Sequence, residues 1–273
     1  MALEALVFDV DGTLVDTEEL HRRAFNQAFL EFELGWEWPA DLYSELLNIS
    51  GGAARIEHYI DSRPVSELQK LRWRRLLPAI HREKTRIYGD LIGGNMVRLR
   101  PGVARLIDEA RQAGVKIGFA ATSQSANVQP LIASAFGREA GAAFDAVVSA
   151  DLVARKKPAP DLYLLVVSML GVSPEHSVAF EDSCNGVAAA KSAGLAAIAT
   201  PSRWTRGQDF SRADLVLGSL GAPDQPLTPA ESARIGGAPM LGLAEVERVL
   251  GRLNEARGPA ALHNQAEKCV NLK

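Results

Sequence analysis

The stretch Phe8-Asp9-Val10-Asp11-Gly12-Thr13-Leu14-Val15-Asp16 closes a short apolar run, Ala5 to Val10, with two carboxylates one residue apart. Residues two apart on extended chain project to the same side, so Asp9 and Asp11 face one point where a strand ends. Taken alone, Asp-Gly is a common turn pair and requires no function. The rest of the chain gives the pair its context. Short apolar runs recur at Val115 to Ala120, Ala146 to Ser149, Val178 to Glu181, Ala196 to Thr200 and Leu215 to Leu217. Between them, Val103, Leu106, Ile107 and Ala110 repeat at helical spacing after Pro101-Gly102, with Gly114 placed to end the helix. Val128, Leu131, Ile132 and Ala135 repeat the pattern. Strands alternating with helices predict a doubly wound α/β domain with a parallel sheet covered on both faces. Such sheets bind ligands beyond the carboxyl ends of their strands.

Residues 17–95 interrupt the alternation with helical patterns and no convincing strand. Glu18 to Phe32 carries Leu20, Ala24 and Ala28, and Leu68 to Tyr88 holds Leu71, Leu76, Leu77 and Ile80 among many basic residues. Gly89 and Gly93-Gly94 read as the linker back. The division is therefore a discontinuous core, 1–16 and 96–273, with a helical cap over 17–95 placed to lie across the strand ends. From about 218 the chain becomes a loop-like extension, rich in Pro and Gly, before a helical pattern over Leu241 to Leu253. Residues 258–273 read as disordered.

A second acidic pair, Phe180-Glu181-Asp182-Ser183, ends a later predicted strand, and Lys157-Pro158-Ala159-Pro160-Asp161 puts a cation before a Pro-initiated helix. Four acids and one lysine gathered at strand ends would repel and desolvate badly unless neutralised, and a hard divalent cation with oxygen ligands does that. Magnesium is the natural choice. The two cysteines, Cys184 and Cys269, have neither zinc nor redox spacing. With a net charge of -3 there is no global basic field for nucleic acid or an anionic membrane. No apolar stretch is long enough to span a bilayer, and acidic residues come too early for a secretory leader. The expectation is a cytoplasmic monomer, or an organellar stromal one if a transit peptide has been removed.

The ordered set Asp-x-Asp-Gly-Thr at Asp9 to Thr13, Lys-Pro-x-Pro-Asp at Lys157 to Asp161 and Glu181-Asp182 resembles the haloacid dehalogenase superfamily. The similarity runs from Leu6 to about Thr200 and is to the cap-bearing branch of β-phosphoglucomutase-like and CbbY-like enzymes. It implies a Rossmann-like core and a magnesium-dependent phosphatase. By resemblance Asp9 is the nucleophile that forms an aspartyl phosphate, ionised at neutral pH without help, and Asp11 the general acid and base. The Asp9 carboxylate, the Asp11 backbone carbonyl and Asp182 would hold magnesium with Glu181 in or beside that shell. Lys157 would balance the charge of Asp9 and the phosphoryl oxygens.

One position departs from the family pattern, because Gly118-Phe119-Ala120-Ala121-Thr122-Ser123-Gln124 puts Ala121 where a phosphoryl-binding Ser or Thr belongs. The expected substitutes are Ser123 and backbone N–H groups around Thr122, although these hydroxyls also suit a helix cap. In the cap, His21, Arg55 and Lys84 match positions that contact substrate or orient the acid and base in the β-phosphoglucomutase-like branch. A helical His or Lys has by default no such role, and Arg55 after Gly51-Gly52 suits a second phosphate. His58, His81, His176 and His263 read as structural or exposed, and Trp36, Trp38, Trp73 and Trp204 as packing. The resemblance implies a sugar bisphosphate substrate, xylulose 1,5-bisphosphate foremost. A phosphomutase differs only in the phosphoryl acceptor, and a catalytically silent binding module has Ala121 as its sole support. A dehalogenase would need neither Asp11 nor a magnesium site.

Overall fold

In the computed structural model, residues 2–93, 97–137 and 144–270 are described, with side chains to Ala256. Six parallel strands form one sheet in the order β3-β2-β1-β4-β5-β6. They are β1 (Ala5–Phe8), β2 (Lys116–Ala120), β3 (Ala146–Val148), β4 (Ser177–Glu181), β5 (Ala196–Ala199) and β6 (Leu215–Val216). All six expected strands are present. Central β1 pairs with β2 on one side, Phe8 opposite Phe119, and with β4 on the other, Phe8 opposite Phe180. The chain order reverses between β1 and β4, and a ligand crevice opens at such a reversal.

Strand periodicity sorts the two faces by size. Leu6, Phe8, Ile117, Phe119, Val178, Phe180 and Ile198 fill a bulky layer, and Phe8 stacks on Phe180 with centroids 4.6 Å apart. α5 (Val103–Gln112), α6 (Ser125–Phe136) and the start of α10 (Leu243–Val270) contribute to this layer. The opposite face carries Ala5, Val7, Ala179, Ala197 and Ala199, against which α7 (Asp161–Leu170) and α8 (Cys184–Ser192) approach closely. Fully burying one such Leu or Phe contributes roughly 1.5–3 kcal/mol.

Four helices stand between β1 and α5: α1 (Glu18–Glu31), α2 (Ala40–Leu46), α3 (Gly52–Ser62) and α4 (Glu67–Gly93). Among the described residues of this segment there is no strand, as expected. An aromatic cluster holds the helices together, with Phe25, Phe29, Trp36 and Trp38 packed within 6.0 Å of their neighbours' centroids. The linker expected from glycine is corrected: Gly89 and Gly93 lie inside α4, whose 27 residues continue past Tyr88. Ile87, Tyr88 and Ile92 are buried on its inner face and carry the helix through Gly89. Of the apolar residues in the Leu68 to Tyr88 pattern, Ile80 is buried whereas Leu71 and Leu76 are 45% and 40% exposed. Gly94 and Asn95 lie outside the described residues. The entering and leaving chains meet as an antiparallel bridge, Val15 to Leu99.

The extension holds α9 (Pro229–Arg234), closed by a capping box of Thr228 and Glu231, and α10. The backbone of α10 is helical to Val270, well beyond the Leu253 limit of the pattern. The disorder expected over 258–273 concerns residues whose side chains, or for 271–273 the backbone, lie outside the described set. Among the described residues no helix is long and apolar enough to cross a membrane.

Candidate active site

Asp9 follows β1 directly, and its N–H donates to the Phe180 carbonyl at 2.9 Å, which fixes it beside the end of β4. The turn that follows is closed by Gly12 N–H to Val15 O at 2.8 Å. Gly12 has φ +88°, and a Cβ there would overlap the Asp182 carboxylate. A close backbone approach and a left-handed conformation both require glycine here.

Asp9, Glu181 and Asp182 are buried and offer carboxylate oxygens within 4.8 Å of one another. Lys157 lies among them. Its Nζ donates to Asp9 Oδ1 at 2.6 Å, to Glu181 Oε1 at 2.6 Å and to the Ala120 carbonyl at 2.9 Å. Burial pulls the ammonium towards neutrality, but Asp9 and Glu181 outweigh it and hold Lys157 charged. Tyr163 Oη also donates to Glu181 Oε1 at 2.6 Å, and Ser183 Oγ to Oε2 at 3.2 Å. Glu181 is therefore fully engaged by protein, while among the described residues no donor reaches Asp9 Oδ2. Burial pushes the Asp9 pKa up to about 7 against the pull of Lys157, and burial with Asp9 and Glu181 raises that of Asp182. One lysine does not neutralise three buried carboxylates, and such a set of hard oxygen donors fits a divalent cation.

Asp11 has a different environment. Thr17 Oγ1 donates to its Oδ1 at 2.6 Å, Tyr88 Oη at 3.0 Å, and His21 Nε2 lies at 3.2 Å. Ser123 Oγ donates to Oδ2 at 2.7 Å. Burial alone would raise the Asp11 pKa, yet His21, Thr17 and Ser123 together hold it well below the usual carboxylate range. Lys84 Nζ lies 2.6 Å from His21 Nδ1. Burial and Lys84 both push His21 towards its neutral form. We therefore read its ring as neutral, accepting from Lys84 at Nδ1 and donating to Asp11 at Nε2. Burial in turn lowers the Lys84 pKa to about 7, with its Nζ 4.8 Å from the centroids of Phe25 and Tyr88.

Two clefts share Asp11, Glu18, Arg55 and Thr122. The inner one reaches Asp9, Lys157 and Asp182. The outer one is lined by His21, Lys84, His81, Lys156 and Ser123. Every residue singled out from sequence thus borders one cleft or the other, apart from Glu181 beneath them and Ala121, which is buried with its N–H on Val148 O at 2.8 Å. The hydroxyl assignment shifts: Ser123 is occupied by Asp11, whereas Thr122 borders the cleft beside Asp9 and Lys157. His81, expected to be structural or exposed, borders the outer cleft, and burial with Lys84 and Lys156 lowers its pKa to about 4. Trp204 is 6% exposed as expected of a packing residue, set edge-on to Tyr43 at 5.6 Å.

A model of haloacid dehalogenase-like hydrolases matches residues 3–194. The chain belongs to the haloacid dehalogenase-like hydrolase family. Among relatives of this hydrolase, "Protein CbbY" of Rhodobacter capsulatus is 43% identical over 222 residues, 81% of this chain and 96% of that protein. A "Phosphorylated carbohydrates phosphatase" of Thermotoga maritima is 32% identical over 196 residues, 71% of this chain and 82% of the other. A solved structure of a variant CbbY from Rhodobacter sphaeroides in complex with xylulose-(1,5)bisphosphate superposes with a TM-score of 0.75 at 39% identity, covering 90% of this chain and 99% of that one. These similarities make the hydrolase a phosphatase.

Several site residues escaped the sequence reading. Thr17 and Tyr88 each lie four residues from one that was singled out, His21 and Lys84, so helical spacing alone would have placed them on the same faces. Glu18, which accepts from Tyr43 Oη at 2.6 Å and borders both clefts, had no such pointer.

Proposed function

We propose that this protein is a magnesium-dependent phosphatase that hydrolyses a sugar bisphosphate through an aspartyl phosphate on Asp9, with xylulose 1,5-bisphosphate as the first substrate to test. The observation that carries the reading is an acidic, lysine-bridged inner cleft joined to an outer cleft bordered by Arg55, Lys84 and Lys156. The complex reported for CbbY of Rhodobacter sphaeroides supports the choice of sugar.

In this reading Lys157 pins Asp9 by Oδ1 and leaves Oδ2 to attack phosphorus in line. Asp9, Asp182 and the Asp11 carbonyl would hold Mg2+, which supplies positive charge against the incoming phosphoryl dianion. Glu181 acts from beside that shell by keeping Lys157 in place. A dianion arriving next to Asp11 disfavours its carboxylate and so favours the protonated acid needed by the leaving oxygen. Once the sugar has left, the hydroxyl and imidazole donors on Asp11 favour the carboxylate again, which is the form that takes a proton from attacking water. Thr122 donates to the phosphoryl group in place of the hydroxyl absent at Ala121. Arg55 receives the second phosphate. We propose further that α1–α4 form the cap, with the division at 17–95.

The test is phosphate release across a panel of sugar mono- and bisphosphates with Mg2+. A bisphosphate should stand out in kcat/KM, and a chelator or Asp9→Asn should abolish turnover. Arg55→Ala should raise KM for that bisphosphate while sparing a small aryl phosphate. Unchanged selectivity in Arg55→Ala would refute the two-phosphate reading. Conversion of β-glucose 1-phosphate to glucose 6-phosphate, in place of phosphate release, would make the enzyme a mutase.

A further inference from the structure

Asp182 is held from a direction that the mechanism above does not use. Thr205 Oγ1 donates to Asp182 Oδ2 at 3.1 Å, with both residues buried. Thr205 lies in the loop after β5, beyond the residues matched by the family model. Ser202 flanks the same oxygen twice, its N–H donating at 3.0 Å and its Oγ lying 3.1 Å away. The buried carboxylate can only accept, so the Thr205 proton is best placed on Asp182, with Ser202 Oγ donating to Thr205 in its turn.

The loop is anchored in turn by Arg100. One guanidinium nitrogen donates to the Thr200 carbonyl at 2.6 Å and to the Gly12 carbonyl, and the other to Pro201 O at 3.3 Å and Gly218 O at 3.1 Å. Gly12 lies in the turn just after Asp9 and Asp11, and a Cβ there would overlap Asp182 Oδ2, the oxygen that Thr205 holds. Arg100 itself follows Leu99 on the chain leaving α4, with its N–H on Leu14 O at 2.8 Å. A single planar fork thus ties together the nucleophile turn, the returning chain and the loop that bears Thr205.

We infer that Thr205 is a positioning residue for Asp182, and that Arg100 keeps the loop carrying it in register with Gly12. The Thr205 hydrogen bond occupies Oδ2 and stops the carboxylate from rotating, so that Oδ1 stays presented to the cation. Partners that orient a metal-ligating carboxylate typically alter metal affinity by about 10–100-fold when removed. The inference rests on the magnesium reading above.

Calorimetric titration of the full-length, substrate-free protein with MgCl2 tests it without any turnover. Wild type binds Mg2+ and Asp182→Asn does not. Thr205→Val and Thr205→Ala, which lack the donor, should weaken Mg2+ binding by about 10-fold or more. Thr205→Ser, which keeps the hydroxyl, should stay close to wild type, and Arg100→Lys, which keeps the charge and loses the fork, should weaken binding. In Thr205→Val the kcat at saturating Mg2+ should recover, since only occupancy is lost. Wild-type affinity in both donor-less variants overturns the inference while leaving the magnesium site standing. Absence of binding in the wild type sinks both.

Discussion

Removing magnesium should cost this protein stability in a pH-dependent way, and Asp9 sets the size of the effect. In the metal-free fold its pKa is raised from 3.8 to about 7, first by burial and then by Glu181 and Asp11 against the opposing pull of Lys157. Because the folded value lies above the unfolded one, the unfolded chain releases this proton first, so the Asp9 contribution to stability falls as pH rises from about 4 to about 7 and is level beyond. Between pH 5 and pH 8 the loss spans two pH units, about 3 kcal/mol at 1.36 kcal/mol per unit. For a chain of this size that is about 6–12 °C in Tm, at 2–4 °C per kcal/mol. Asp182 is shifted in the same direction and adds to the trend. Bound Mg2+ removes the cost of the ionised carboxylates and competes with their protons. Thermal unfolding followed by circular dichroism, at pH 5 and pH 8 with chelator or with millimolar Mg2+, gives four curves. The Mg2+-induced rise in Tm should be larger at pH 8 by most of that interval. An equal rise at both pH values would refute the account of Asp9, whereas the metal-free Tm also carries the opposite trend from His81 and Lys84, whose lowered pKa values favour the fold as pH rises.

Asp11→Asn should lower kcat by about 10²–10⁴-fold, as loss of a general acid and base does, while aryl phosphates with good leaving groups suffer least; equal losses across leaving groups would remove Asp11 from the acid role. Gly186→Ala should destabilise the fold by about 1–3 kcal/mol or more, measured by urea unfolding, because a Cβ there would overlap the Glu181 carboxyl group. Ala121→Ser supplies the hydroxyl absent from the second motif and should raise kcat/KM by about tenfold, the equivalent of one charged hydrogen bond of about 1.4 kcal/mol. No gain would mean that Thr122 and backbone donors already saturate the phosphoryl oxygens.

The sheet was legible because each strand is a short, mainly apolar run whose length and flanks leave few alternatives, and the inner site because Asp9, Asp11, Glu181 and Asp182 all stand where such runs stop. The cap was legible only as a helical insertion. Gly89 misled because glycine is weighed locally, whereas Ile87, Tyr88 and Ile92 are buried by partners distant in sequence and carry α4 through it. The engagement of Ser123 by Asp11 was beyond sequence for the same reason: the two are 112 residues apart, and only the folded turn shows that the hydroxyl is already taken. Arg100 and Thr205 were hidden too, since their partners are mostly backbone carbonyls and a carboxylate, which carry no pattern of their own.

Trp204 stands apart from the other three indoles. Trp36 lies 4.9 Å from Trp73 and Trp38 is joined to Trp36 through Phe29, all among the inserted helices. Trp204 belongs to the loop after β5 and meets the insertion edge-on at Tyr43. Its ring nitrogen is buried with no hydrogen-bond partner among the described residues. If the inserted helices swing away as one body, water reaches that indole while the other three keep their surroundings. The molecule therefore carries a fluorophore at the seam, and the red shift of its emission would time the opening without any attached dye.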